Sequence, residues 1–458
     1  MFRSLVSLFL LALALGAEPA DWIWTGRYVV TMDAPHRVIE NGAVAVRAER
    51  IVAVGPRAEV EKRFQAAHRV DRPESLIAPG LINTHAHAAM SLLRGVADDL
   101  RLEDWLEKYI FPAEARNVSP DFVRWGTRLA CLEMALGGTT TYADMYYFED
   151  VVAEATREAG LRGVLGETII GFPVPDAKTP EDGLRYAERF IGRFRGDAWI
   201  TPAVAPHALY TNSDQTLRAC RALANKYGVP LITHVSETRR ELEETRAKRS
   251  LSPVAVLEQL GAFNGRTLVA HAVWTDAGDH RIFKARGVGV AHCPSSNAKL
   301  ASGVAPVVAM LAAGIDVGLG TDGPAGSNND FNLFEEMDLA AKLQKVTSGD
   351  PRALPATRAF EMATVMGARA LGMEKEIGSL EAGKRADLIT VRLDAPNAVP
   401  LYNVYSQLVY ALKASDVRDV MVNGRLVVSD RRMLTLDAAQ VLAKGAEYGV
   451  RVRGTLSK

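Results

Sequence analysis

His85 and His87 are separated by one alanine, and residues two apart in an extended strand point to the same side. Two imidazoles so placed can meet one metal ion. His234, in His234-Val235-Ser236-Glu237-Thr238, and Asp322, in Gly320-Thr321-Asp322-Gly323, extend the set to three histidines and one aspartate. Those donors suit a borderline divalent ion such as Zn²⁺ or Fe²⁺. Glu237 stands three residues beyond His234, where it reaches the same mouth without binding the ion, the position of a proton shuttle. His271 ends a further apolar run and is expected to face the water or the substrate. Taken singly, Asp322 reads as a turn cap before Gly323-Pro324, Glu237 as a solvated loop residue and His271 as a core histidine. Taken together, they support hydrolysis in which a metal ion lowers the pKa of water.

The elements that must hold them repeat. Apolar strand candidates occur at 81–84, 139–143, 163–167, 200–205, 230–233, 267–270, 288–291 and 315–320. Helical patterns lie between them, at 120–136, 149–159, 181–194, 213–227, 253–260, 276–286 and 304–313. Eight β–α repeats predict an α/β fold, a (β/α)8 TIM barrel over 79–375. No GxGxxG follows the first strand, which removes the support for an open dinucleotide-binding sheet. Of nine histidines, six (His85, His87, His207, His234, His271 and His292) fall at or just past the C-terminal end of a strand candidate, the rim where this fold does its chemistry. Residues 18–78 and 376–435 are β-rich, with short runs at 28–32, 42–46 and 50–55 and a hairpin on Asn423-Gly424. Both ends are expected to pair into one small β-sandwich, followed by a helix over 436–447 and a tail to 458.

Composition excludes several classes. The chain has 458 residues, 48% hydrophobic and 24% charged, which is too apolar for disorder and too long for a disulfide-held module. Lys+Arg and Asp+Glu are both 54, so no net charge draws it to nucleic acid or an anionic membrane. The three cysteines form no pairable framework. Residues 1–17 read as a signal peptide: a basic start, an apolar run over 5–15, and small residues with cleavage after Gly16 or Ala17. The run is too short to span a bilayer. The mature chain is therefore expected to be exported, periplasmic or extracellular, with no stable membrane span, a small-molecule substrate and room for homo-oligomers.

The motifs resemble the amidohydrolase superfamily, and within it the deaminases of methylthioadenosine/S-adenosylhomocysteine, triazines and guanine. The matching stretches are Pro79-Gly80-Leu81-Ile82-Asn83-Thr84-His85-Ala86-His87, His234-Val235-Ser236-Glu237-Thr238, His271 and Gly320-Thr321-Asp322-Gly323. His292-Cys293-Pro294-Ser295-Ser296-Asn297-Ala298-Lys299-Leu300 and Gly378-Ser379-Leu380-Glu381-Ala382-Gly383-Lys384-Arg385-Ala386-Asp387 also match. The resemblance covers about 25–435. It implies metal ligands at His85, His87, His234 and Asp322, with Glu237, His271 and Asp322 in catalysis. It implies substrate contacts at Glu114 and His207, with Trp105 near the same mouth. Because the fourth strand ends in Pro206-His207 and not in a bridging lysine or glutamate, it implies one ion, zinc or iron. The implied reaction is hydrolytic deamination of an aminated purine, an adenosine-type nucleoside such as 5′-methylthioadenosine. Triazine, pterin or guanine rings, cyclic amides, and a non-catalytic metal-binding scaffold are the alternatives. Two positions depart from the family pattern. Glu167 stands where homocysteine-binding relatives place an arginine, and Cys293 where an asparagine often follows the seventh-strand histidine. A glutamate there implies preference for neutral 5′-substituents, unless Arg185 supplies the missing cation.

Overall fold

The computed structural model describes residues 17–456. Residues 1–16, which carry almost all of the expected signal peptide, lie outside the described residues. Four strands open the chain: β1 (Glu18–Val30), β2 (Val38–Arg47), β3 (Arg50–Pro56) and β4 (Phe64–Pro79). Eight follow: β5 (Leu81–Ala86), β6 (Thr139–Tyr146), β7 (Arg162–Ile169), β8 (Ile200–Pro206), β9 (Leu231–Val235), β10 (Thr267–His271), β11 (Gly289–His292) and β12 (Val317–Leu319). They close into one parallel barrel, β12 returning to β5 through Leu319 and Asn83. Every expected barrel strand is present.

The intervening helices start where the sequence supplies caps. Ser119, Thr179, Ser213, Thr238, Ser252 and Asp276 each accept a backbone N–H from the first turn of the helix they precede. Proline occupies the first turn in three of these helices, where its missing N–H has no intrahelical partner to lose. Inside the barrel Ile82, Ala143, Val164, Ala203, Ile232, Leu268 and Ala291 form one apolar cluster. Ala368 and Ala370 of helix Val365–Ala370 join it and seal the end away from the histidines.

The chain then returns to β structure as β13 (Leu388–Arg392), β14 (Val417–Val422), β15 (Arg425–Ser429) and β16 (Arg432–Met433). Both chain ends join in a single eight-stranded sheet, ordered β16-β15-β14-β13-β4-β1-β2-β3, so the expected sandwich is one continuous hydrogen-bonded sheet. The junction is antiparallel, with Thr390 opposite Ile77. Asn423 and Gly424 both have positive φ, as the tight hairpin turn there requires. Barrel and sheet are tied by Arg162, at the start of β7. Its guanidinium pairs with Asp387, bonds Asn423, and donates to Thr141 Oγ1 at 3.0 Å, with both charged partners almost wholly buried. Helix Ala438–Leu456 runs nine residues beyond the expected end and packs Tyr448 against Phe122. No described helix is long and apolar enough to cross a membrane.

Candidate metal and catalytic centre

Five of the six rim histidines converge. Ring centroids lie 4.9 Å apart for His85 and His87, 5.0 Å for His85 and His234, 5.5 Å for His234 and His271, and 4.8 Å for His207 and His234. His292 is not among them; both its ring nitrogens are buried without a hydrogen-bond partner. Asp322 Oδ1 lies 3.2 Å from His87 Nε2 and 3.4 Å from His85 Nε2. The donor atoms of His85, His87 and Asp322, and those of His85, His234 and His271, each lie within 4.8 Å of one another. The backbone is bent to achieve this: Ser236, His271 and Asp322 have φ of 53°, 71° and 63°, a left-handed conformation that non-glycine residues adopt at a cost. An N–H···O bond of 2.9 Å from Asp322 to the His85 carbonyl holds the two strand ends together.

The residues fit a divalent ion. His87 Nδ1 bonds the Met145 carbonyl at 2.7 Å and His234 Nδ1 bonds the His207 carbonyl at 2.7 Å. A carbonyl accepts only, so each Nδ1 carries the proton and each Nε2 presents a lone pair to the centre. His85 Nε2 is buried with no hydrogen-bond partner, which leaves a lone pair for a cation. Asp322 Oδ2 accepts from Ser296 Oγ at 2.7 Å, so Oδ1 is the oxygen turned to the imidazoles.

Glu237 and His271 sit beside this group. Glu237 Oε2 is 3.7 Å from His271 Nε2, and both side chains are buried. Burial pushes the Glu237 carboxyl up to about 7, so it can hold a proton near neutrality. His271 Nδ1 bonds Asn297 Oδ1 at 3.0 Å, which directs Nε2 toward Glu237. Ser296 and Asn297 belong to a stretch whose motif was legible while their roles were not. Asp144, which lies in none of the matching stretches, accepts the Ala88 N–H at 2.7 Å just beyond His87.

The expected substrate contacts divide. Glu114 is buried, accepts from Tyr146 Oη at 2.7 Å, and is pushed up to about 7 by burial. His207 packs at a tilt against the His234 ring, bonds Thr211 Oγ1 at 3.0 Å, and is pulled down to about 3 by burial. Trp105 opens a π-helical turn, Trp105–Ile110, and is buried; its Nε1 donates to the Ala325 carbonyl at 2.8 Å. It fastens that segment over the loop after β12, and its one polar atom is spent there. Glu167 is a correction. Val164 belongs to the barrel interior and Leu165 and Ile169 to the clusters outside it, so Glu167 faces the helices. Its Oε2 accepts the Glu149 N–H at 3.1 Å, and Asp176 lies within hydrogen-bond reach. Burial and the Asp176 charge raise it well above the usual carboxylate range, so it holds a proton. It therefore offers no charge to repel a substrate carboxylate. Arg185 is mostly exposed and bound to Asp182, so it supplies no cation either.

A cavity of about 680 Å³ adjoins the centre. Leu102, Leu106, Phe111, Phe172 and Tyr210 supply its apolar wall, and Phe111 and Tyr210 also contact the His207 ring. Its two cations are engaged: Arg240 with Glu244 at 2.7 Å, and Lys248 with Glu244 at 3.3 Å. Glu103, Glu107 and Glu241 complete an acidic rim.

The amidohydrolase family matches residues 76–427, and a bacterial imidazolonepropionase-like composite domain matches residues 42–64. The chain is 46% identical over 441 residues to a 5-methylthioadenosine/S-adenosylhomocysteine deaminase of Syntrophus aciditrophicus, covering 96% of this chain and 99% of the relative. It superposes on the zinc-bound crystal structure of an adenosine deaminase from Xanthomonas campestris with a TM-score of 0.94 and 40% identity, covering 96% and 100% of the two chains. A triazine hydrolase from Arthrobacter aurescens superposes with a TM-score of 0.85 at 25% identity, over 94% and 99%.

Proposed function

We propose, from the premise that this chain belongs to the amidohydrolase family, that it is a metal-dependent hydrolytic deaminase of adenosine-type nucleosides. The observation that carries the reading is a proton-holding Glu237 beside His271 and four metal donors, in a chain 46% identical to a methylthioadenosine/S-adenosylhomocysteine deaminase. His85, His87, His234 and Asp322 would hold one zinc ion, whose Lewis acidity makes water nucleophilic at neutral pH. Asp322 takes a proton from the attacking water, and His271 Nε2 orients that water. Glu237 protonates the ring nitrogen beside the carbon bearing the amino group. On collapse Asp322 returns its proton to the departing amine, which leaves as ammonia, while Glu237 recovers one from the new hydroxyl. Glu114 and His207 would contact the nucleoside.

The centre is buried, so the 5′ end of a nucleoside, remote from the reacting carbon, must extend toward the adjoining cavity. The apolar wall and acidic rim of that cavity suit the methylthio group of 5′-methylthioadenosine and give an amino-acid carboxylate no free cation. Ammonia release should be measured on adenosine, 5′-methylthioadenosine, S-adenosylhomocysteine, guanine and a triazine, with zinc present. We expect release from the adenosine-type substrates, with kcat/KM for methylthioadenosine about tenfold or more above that for S-adenosylhomocysteine, a difference of about 1.4 kcal/mol. Turnover confined to guanine or the triazine would overturn the reading; a reversed ranking would overturn only its 5′ preference. Export belongs to the same proposal. A purified protein whose first residue is 17 or 18 supports it, and one that begins at Met1 overturns it.

A further inference from the structure

Glu336 is wholly buried in the first turn of helix Leu333–Ser348 and has none of the roles assigned above. Its two carboxyl oxygens serve two different segments. Oε2 accepts the Ser295 N–H at 3.1 Å, and Oε1 accepts from Asn328 Nδ2 at 2.9 Å. Ser295 lies in the short helix Pro294–Lys299, directly before Ser296 and Asn297. Ser296 Oγ fixes Asp322 Oδ2 at 2.7 Å, and Asn297 Oδ1 fixes His271 Nδ1 at 3.0 Å. Asn328 reaches back to the Asp322 loop, with Nδ2 donating to the Thr321 carbonyl at 2.8 Å and its N–H to the Gly323 carbonyl at 3.1 Å. A single carboxyl group thus spans the turn that orients a metal donor and a catalytic imidazole, and the loop that carries the donor itself.

We propose that Glu336 is a positioning residue of the reaction: through Ser296, Asn297 and Asn328 it sets which oxygen Asp322 presents and which nitrogen His271 presents. It touches neither ion nor substrate. Both segments it joins offer donors, the Ser295 N–H and the Asn328 amide, so an acceptor pair is required and an apolar residue leaves both unsatisfied. Glutamine keeps one acceptor and sets an NH₂ against the other donor, so it restores part of the span.

The inference rests on the deaminase reading for its rate measurement and is independent of it for its metal measurement. Glu336→Ala and Glu336→Gln should be made in the wild-type chain and in a Ser296→Ala/Asn297→Ala background. In the wild-type chain Glu336→Ala should lower kcat about tenfold or more with KM within about twofold, because the groups disturbed handle protons and the nucleoside contacts are untouched. Zinc should be stripped by a chelator faster by a similar factor, and Glu336→Gln should fall between the two. In the double-variant background the same change should cost clearly less than in the wild-type chain in both measurements, since two of the three intermediaries are already gone and only the Asn328 route remains. Equal losses in the two backgrounds, or unchanged kcat and zinc release in a folded variant, would overturn the proposal. If Glu336→Ala does not fold, Glu336→Gln in both backgrounds decides by the same comparison. A wild-type chain that deaminates no purine would end the deaminase reading alone, and the zinc-release rates would still decide this one.

Discussion

Replacing Glu237 by glutamine preserves its size and removes its proton, while His234→Ala removes a metal donor and leaves the proton in place. The two should fail differently. Glu237→Gln is expected to retain about one zinc per chain and lose about 100-fold or more in kcat, the scale of general acid–base loss. His234→Ala should lose metal and turnover together, because an incomplete donor set binds weakly. Elemental analysis beside steady-state rates checks both. A glutamine variant with wild-type kcat would remove Glu237 from the mechanism.

At the scale of elements, β7 carries a test of its own. Glu167 holds a proton behind the strand, its pKa raised well above the ordinary value by burial first and by the Asp176 charge second. The folded chain then holds a proton that the unfolded chain releases above about pH 4.5. This contribution is fully present below that pH and is lost as pH rises toward the folded value, by at most about 1.4 kcal/mol per pH unit per proton. Glu167→Gln has no proton to lose, so its Tm should fall less between pH 6 and 9 than that of the wild type. Its ranking of methylthioadenosine against S-adenosylhomocysteine should not move. An unchanged Tm slope would show that another group holds the proton. The same strand shows how far sequence carries. His85, His87, His234 and Asp322 were legible because an apolar strand ends where each polar donor begins, and the barrel turns every such end to one rim. Glu167 was misplaced because matching fixes a position along a strand but not its face. The alternation of Val164 inside with Leu165 and Ile169 outside decides that face. Strand β4 was seen only as part of a β-rich stretch, because residues 65–74 are mixed in polarity and mostly exposed, and a continuous buried run occurs only at 75–79. Asn297 and Ser296 bond to residues 26 positions away, a separation no local pattern reports.

Across the whole molecule, the barrel and the sheet meet at Arg162 and Asp387. Removing one partner of a buried ion pair strands the other, so Arg162→Ala is expected to cost about 3–5 kcal/mol. Thermal unfolding followed by circular dichroism should show a lower Tm for this variant. A variant within a few tenths of a degree of wild type would mean that the pair is dispensable. The sheet has a further consequence, for the order in which the protein can be made. β4 has two edges, one taken by β1 and the other by β13. A ribosome completes β4 some 300 residues before it completes β13. At about 5–20 residues per second, Leu76, Ile77 and Ala78 wait roughly 15–60 s with one edge open. An apolar strand with an open edge is a template for other nascent chains. The amino-terminal half of this sheet therefore depends on a chaperone, or on dilution, until the barrel between its two parts has been synthesised.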